Sequence, residues 1–403
     1  MSNDRIETLA EIGNAALRRR WTRRQTLKGA AGLGLAVPLL GAARSRRAAA
    51  QDVVTITWFA SRDTTGYTPK QVEAFNAAHP TIQISYQEQG AVTTDLHDKF
   101  VTIATAEDPS ADLISMDVPF VPEFAAAGWT LPVEDLLPAE ERSAFFAGTI
   151  EGATYDAQLY AVPWFNNGPG LFYRKDLLDG AGLQLPKTYD ELLAAARQLQ
   201  TPEMNGYIFQ AAQTEGGLIH WLEYLWGHGG DLVDAENVFV EGRAVFLRQW
   251  MTATAAMEAD TSQIKGMWDV APLPSQDGAA PGPGCLGTWN LGISKFSRYP
   301  EETAEAIRWL TSLEQQTTRY LGGGFLPARS AVFDDPAVLE KYAYVDRLRA
   351  AFESLKPRPV TPYYSQMSAD VLQPNFGAAI TRQKEPAQAI ADMAEGLKQV
   401  QEG

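Results

Sequence analysis

Cysteine is nearly absent from the chain: Cys285 stands alone among 403 residues. A single cysteine closes no internal disulfide, so stability has to come from packing. Histidine is almost as scarce, and His79, His97, His220 and His228 fall at no spacing that suits zinc. No metal and no cofactor is therefore expected. Long apolar runs are missing too; the stretch 30–43 is shorter than the roughly 20 residues that cross a bilayer. Basic residues are few, 34 Lys and Arg against 49 Asp and Glu, for a net charge of −15. Phosphate recognition needs clustered Lys and Arg, so nucleic acid is excluded as a partner and an anionic surface is disfavoured. There is no phosphate loop and no nucleophile elbow. Gly322-Gly323-Gly324 lacks a following Lys-Ser/Thr and reads as a turn.

What is present divides at residue 50. The first fifty residues hold ten Lys and Arg against three Asp and Glu, which leaves about −22 for residues 51–403. A basic leader on an acidic body is the composition of a targeting segment. Its basic part ends in Thr22-Arg23-Arg24-Gln25-Thr26-Leu27-Lys28, which resembles the twin-arginine export signature. The apolar run 30–43 follows, then Ala48-Ala49-Ala50, the small residues a signal peptidase needs. Arg44, Arg46 and Arg47 fit that pattern poorly. The expectation is a signal peptide over 1–50, removed near Gln51, and a mature part that is exported, periplasmic or otherwise extracytoplasmic, and soluble.

The remaining 353 residues exceed what one core usually holds and predict two domains. Residues 53–59 are β-branched and aromatic, the composition of a buried strand. Residues 68–79 carry Val72 and Phe75 on one helical face, with His79-Pro80 as the stop. A strand at 82–86, a helix near 94–106 and a strand at 112–116 complete a pattern that predicts a parallel sheet. Ligands collect beyond the carboxyl ends of such strands, which selects 61–64, 88–90 and 117–119. A second α/β unit begins after residue 170. Thr188 and Glu191 form a capping box ahead of an apolar stripe at Leu192, Leu193, Ala196 and Leu199. Short strands are expected at 207–210 and 267–270.

Several segments, taken in order, carry a resemblance. They are Asp112-Leu-Ile-Ser-Met-Asp117, Phe124-Ala-Ala-Ala-Gly-Trp129, Tyr160-Ala-Val-Pro-Trp164, Leu171-Phe-Tyr-Arg-Lys-Asp-Leu-Leu178, Glu241-Gly-Arg-Ala-Val-Phe246, Gly287-Thr-Trp-Asn-Leu-Gly-Ile-Ser-Lys295 and Arg358-Pro-Val-Thr-Pro-Tyr-Tyr-Ser-Gln366. Together they resemble the extracellular solute-binding proteins of ATP-driven, ABC-type sugar importers, above all the trehalose/maltose-binding branch. The resemblance implies an α/β, two-lobed periplasmic-binding-protein-like fold with discontinuous lobes and a three-crossing hinge. Lobe 1 would comprise 51–165 and 291–326, and lobe 2 would comprise 166–290 and 327–403. The crossings are expected near 166–170, 286–290 and 325–328, where Gly and Pro let the backbone rotate. Relatives carry several dozen residues between a Gly-Gly like Gly229-Gly230 and the segment from Glu241. Here only 231–240 remain, so lobe 2 is shortened.

The implied function is capture of a small neutral oligosaccharide, trehalose- or maltose-like, by lobe closure, with delivery to a transmembrane permease. The protein would act as a monomer and catalyse nothing. The alternatives are an exported glycoside hydrolase, which needs two carboxylates about 5–10 Å apart, and a binder of a non-sugar solute. Sugar recognition calls for flat apolar surface and directional acceptors, because a buried unpaired hydroxyl costs about 1–3 kcal/mol. Trp289 is the first candidate for stacking, with core packing as the alternative, and Gly287 beside it would let backbone approach the ligand. The resemblance adds Trp250 as a stacking ring, Phe165 after Trp164 at an aromatic ligand position, and Asn167 where relatives have Asp or Asn. Asp117, at the end of the third strand, would accept from hydroxyls or cap the next helix. Glu215 follows a strand of the second lobe. Arg358 would fork onto hydroxyls, hold Asp117 or Glu215, or bridge the lobes. Asp63, Gln89 and His97 lie in first-lobe loops within reach of a cleft.

Overall fold

The computed structural model describes residues 53–90, 93–209 and 239–402. In chain order its strands are β1 (Val54–Ala60), β2 (Ile82–Glu88), β3 (Leu113–Asp117), β4 (Thr154–Tyr155), β5 (Gln158–Leu159), β6 (Val162–Phe165), β7 (Pro169–Arg174), β8 (Asn205–Ile208), β9 (Ala244–Trp250), β10 (Trp268–Ala271), β11 (Gly284–Cys285), β12 (Trp289–Ile293) and β13 (Leu355–Lys356).

The first sheet runs β2-β1-β3-β12-β6. The β1–β2 and β1–β3 pairs are parallel, as the alternation of strand and helix predicts. β12 returns from far along the chain and pairs antiparallel with both β3 and β6. Ile56 and Trp58 on β1 are fully buried, and the Trp58 indole donates to Ser115 Oγ at 3.0 Å. Helix Tyr67–Ala78 packs Val72 and Phe75 onto the sheet and stops at His79, whose backbone N–H caps onto the Phe75 carbonyl.

The second sheet runs β10-β7-β9-β8. Successive side chains of a strand face opposite sides, and on β7 Leu171 and Phe172 enter two different cores. Helix Tyr189–Leu199 covers the Leu171 side. Its capping box is present: Thr188 Oγ1 accepts from the Glu191 N–H at 3.1 Å, and Glu191 Oε2 accepts from the Thr188 N–H at 3.2 Å. The chain passes from the first sheet to the second at 166–168, between β6 and β7, and returns to the first at 286–288, between β11 and β12. It passes between the two main cores again near 325–328, where Leu326 belongs to one core and Ala328 to the other. The architecture is the expected two-lobed α/β fold.

One sequence reading is overturned here. Gly322 and Gly323 are the last two residues of helix Leu313–Gly323, not a turn, and only Gly324 adopts positive φ, +71°, to end it. The small residues serve packing. A Cβ at Gly322 would lie 2.2 Å from the Tyr67 ring, so glycine lets this helix close onto Tyr67. Among the described residues no helix is long and apolar enough to cross a membrane.

Candidate functional site

The carboxyl ends of β1 and β3 open into a cavity of about 890 Å³. That lies within the roughly 300–1,000 Å³ of small-molecule sites. Ser61, Arg62 and Asp63 follow β1, and Asp117 and Pro119 close β3. Thr93, Thr94, His97 and Asp98 form a further stretch of wall, and Tyr364, Ser365, Ser368 and Gln373 come from the C-terminal helical segment. Aromatic surface is supplied by Phe120, Trp164, Phe165, Trp289 and Phe325.

Pairing of β12 between β3 and β6 explains how residues distant in sequence meet. Trp289 is the register partner of Asp117 on one side and of Phe165 on the other. Its half-buried indole stacks with the Phe165 ring, centroids 6.4 Å apart and planes 21° apart. Beside this pair Arg358, buried, donates from Nη2 to Asp117 Oδ1 at 2.5 Å. Asp117 Oδ1 also accepts from the Val118 N–H at 2.7 Å. Holding Asp117 is among the roles that Arg358 takes. The wall thus offers a flat apolar face next to a charged pair.

Other candidates are committed to local order. Asp63 accepts from the Thr65 N–H and hydroxyl through Oδ1, both at 2.7 Å, and from the Thr68 N–H through Oδ2 at 2.6 Å. Burial alone would raise its pKa, yet the bonds from Thr65 and Thr68 outweigh burial and hold it below the usual value. His97 lies between carboxylates, with Nδ1 2.9 Å from Asp98 Oδ1 and Nε2 2.8 Å from Glu123 Oε1. Burial pulls its pKa down, but the bonds to Glu123 and Asp98 win and raise it above 6.5. Glu123 Oε2 in turn accepts from the Ser365 hydroxyl at 2.5 Å, which ties the C-terminal segment to the first-sheet side of the cavity.

Seven of the twelve sequence candidates therefore meet at one cavity: Asp63, His97, Asp117, Trp164, Phe165, Trp289 and Arg358. Trp164 is only 2% exposed and packs edge-on against Trp58 and Phe165, which makes it wall structure rather than open stacking surface. Gln89, Asn167, Trp250 and Gly287 do not line the cavity. Gly287 makes room for a side chain: a Cβ there would stand 2.8 Å from the Trp250 ring. Its N–H donates to the Asn167 carbonyl at 2.9 Å, so Asn167 and Gly287 join two chain crossings to each other. The Trp250 ring also has the Arg248 guanidinium 5.1 Å from its centroid. Gln89 turns back onto its own strand, donating to the Gln87 carbonyl at 3.2 Å. Glu215, and most of the shortened 231–240 stretch, lie outside the described residues.

Sequence reasoning missed Arg319, Phe325, Tyr364 and Ser365. Tyr364 and Ser365 fall within the quoted Arg358–Gln366 motif, so a signal existed for them. Arg319 had none, because an arginine in an amphipathic helix reads as solvated. Among the described residues no group of His, Cys, Asp or Glu could hold a metal ion.

With this geometry in view, comparisons place the chain. Residues 61–317, well over half of it, match the family described as bacterial extracellular solute-binding protein, and the chain belongs to that family. A probable ABC transporter-binding protein of Deinococcus radiodurans is 27% identical over 313 residues, covering 66% of this chain and 74% of that protein. A maltotriose-binding protein of Pyrococcus abyssi is 22% identical over 303 residues, covering 66% and 64%. Among solved structures, maltose-bound T. maritima MalE3 is similar with a TM-score of 0.77 at 32% identity, over 86% of this chain and 99% of that one.

Proposed function

We propose that this chain is the exported substrate-binding component of an ATP-driven carbohydrate importer. It captures a small neutral oligosaccharide, best a trehalose- or maltose-like disaccharide, by closing two lobes on it, presents it to a transmembrane permease, and catalyses nothing. The observation that carries the reading is the Trp289–Phe165 stack beside the Asp117–Arg358 pair on one cavity wall. A sugar ring presents C–H faces to the first and hydroxyls to the second. Similarity to a maltose-bound protein at 32% identity supports the α-glucoside class.

A thermal-shift screen of the protein against maltose, trehalose, maltotriose, tagatose and mannitol tests it. Binding to the folded state adds RT ln(1 + [L]/Kd), about 2.7 kcal/mol at a hundredfold excess over Kd. The expected outcome is a concentration-dependent rise in Tm with at least one α-glucoside and no release of free glucose. A flat response to every sugar rejects the carbohydrate reading, and glucose release rejects the non-catalytic one.

A further inference from the structure

Arg319 rises from helix Leu313–Gly323 to the cavity wall and is 1% exposed. Its Cζ lies 3.7 Å from the centroid of the Trp164 ring and 3.8 Å from that of Phe325. Two rings cannot both press on one face of a guanidinium at that distance, so its plane lies between them. Phe165 stands 5.2 Å away. Nη1 donates to Gln71 Oε1 at 2.9 Å and Nη2 to Thr68 Oγ1 at 3.1 Å, which anchors the group to helix Tyr67–Ala78. Nε has no acceptor, and no carboxylate among the described residues forms an ion pair with the group. Burial pushes its pKa down to about 9, with nearby Asp63 offsetting only part of that.

A buried cation without a carboxylate is a poor way to stabilise a fold. At such positions an apolar side chain of similar volume is often as good or better. The cost points to a task elsewhere, and the neighbours say which. Trp164 and Phe165 end β6, just before the first chain crossing, and Phe325 opens the third. Phe165 stacks on Trp289, which begins β12 just after the second crossing.

We propose that Arg319 is a positioning residue for ligand binding: by clamping Trp164 against Phe325 it holds the aromatic wall, Phe165 and Trp289 included, in the register that a ligand ring meets. The inference rests on the carbohydrate reading of the same cavity. Without the clamp the rings keep their apolar surface but lose their fixed arrangement, so affinity falls through lost preorganisation.

The test compares Arg319→Leu and Arg319→Lys with the parent by three measurements: Tm without ligand, near-ultraviolet circular dichroism, and calorimetric titration with maltose or the best sugar of the panel. The leucine variant should melt at or above the parent, show a changed tryptophan spectrum without ligand, and bind at least tenfold more weakly. The lysine variant keeps charge and reach but not the flat plate, and should recover part of the affinity. Leucine-variant binding within threefold of the parent overturns the proposal. So does weak binding that follows a lowered Tm and returns to parental strength on cooling, since that is a purely structural effect. If the leucine variant does not fold, an unchanged spectrum and affinity in the lysine variant overturns it equally. If the parent binds no sugar, the carbohydrate reading fails separately, and the ligand-free spectra still decide whether Arg319 sets the aromatic wall.

Discussion

Trp289 and Asp117 are paired across β12 and β3, yet they should contribute unequally to binding. A neutral sugar brings no charge for Asp117 to attract, and the carboxylate is already bonded to Arg358 and the Val118 N–H. A further hydroxyl therefore adds about 0.5–1.5 kcal/mol net. An indole face removes apolar area from water at about 25 cal/mol per Å² without desolvating a polar group beneath it. Truncated ring anchors at other interfaces cost 2 kcal/mol or more. Trp289→Ala should thus weaken the best sugar by roughly two decades with Tm little changed, and Asp117→Asn by less; calorimetric titration measures both. Binding by Trp289→Ala within about threefold of the parent would show that the indole is core. His97 gives a second expectation at this scale. Its folded pKa is raised, so the stability it contributes is complete below the unfolded value of about 6.5 and is lost as pH rises through the folded one. The Tm advantage of the parent over His97→Gln should be largest below about pH 6.5 and shrink as pH rises above it; a difference that grows with pH contradicts the assigned bonds to Glu123 and Asp98.

Elements are held at the cavity by buried polar contacts between crossings. Thr288 donates to Asn166 Oδ1 at 2.9 Å, and the Asn166 N–H reaches the Leu326 carbonyl at 2.7 Å, so all three passages of the chain are joined there. Gln316 extends the network: its Oε1 accepts from the N–H groups of Ala328 and Arg329, while Nε2 donates to the Pro163 carbonyl at 3.4 Å. Thr288→Val removes a buried donor and leaves the network one bond short, although Asn166 Oδ1 still accepts from the Asn167 N–H; the expected loss is about 0.5–1.5 kcal/mol, seen as a lower denaturation midpoint. The Thr188 cap gives a control away from the site. Thr188→Ala should cost about 1 kcal/mol of stability and leave sugar affinity unchanged; altered affinity would mean that helix Tyr189–Leu199 communicates with the cavity.

For the whole molecule, Arg358–Asp117 and Ser365–Glu123 join the first-sheet wall to the C-terminal segment. Export of the full chain should depend on Arg23 and Arg24. Changing both to Lys is expected to leave precursor in the cytoplasm, read by fractionation and immunoblot, and unaltered export of that variant would remove the twin-arginine assignment.

Much of this was legible in order along the chain. Strand and helix periodicity, the capping box and the β-branched run at β1 are local, since 2.0- and 3.6-residue repeats and hydrogen bonds three residues apart need no distant partner. The place of Asp117 on the cavity wall was legible because it ends a parallel strand, and ligands gather at that edge. The insertion of β12 between β3 and β6 was not legible, although it alone sets Trp289 against Phe165 and Asp117. Sequence ranked Trp289 first for stacking but could not fix the exposure of either ring: both tryptophans stand beside a crossing, and packing leaves Trp289 half-open and encloses Trp164 under Arg319 and Trp58. The glycines show the same limit, with Gly287 receiving the Trp250 ring and Gly322 the Tyr67 ring. Residue type and local pattern determined the elements and the kind of surface they could offer. Which side chains face the cavity was decided by tertiary structure, because exposure depends on contacts made from hundreds of residues away.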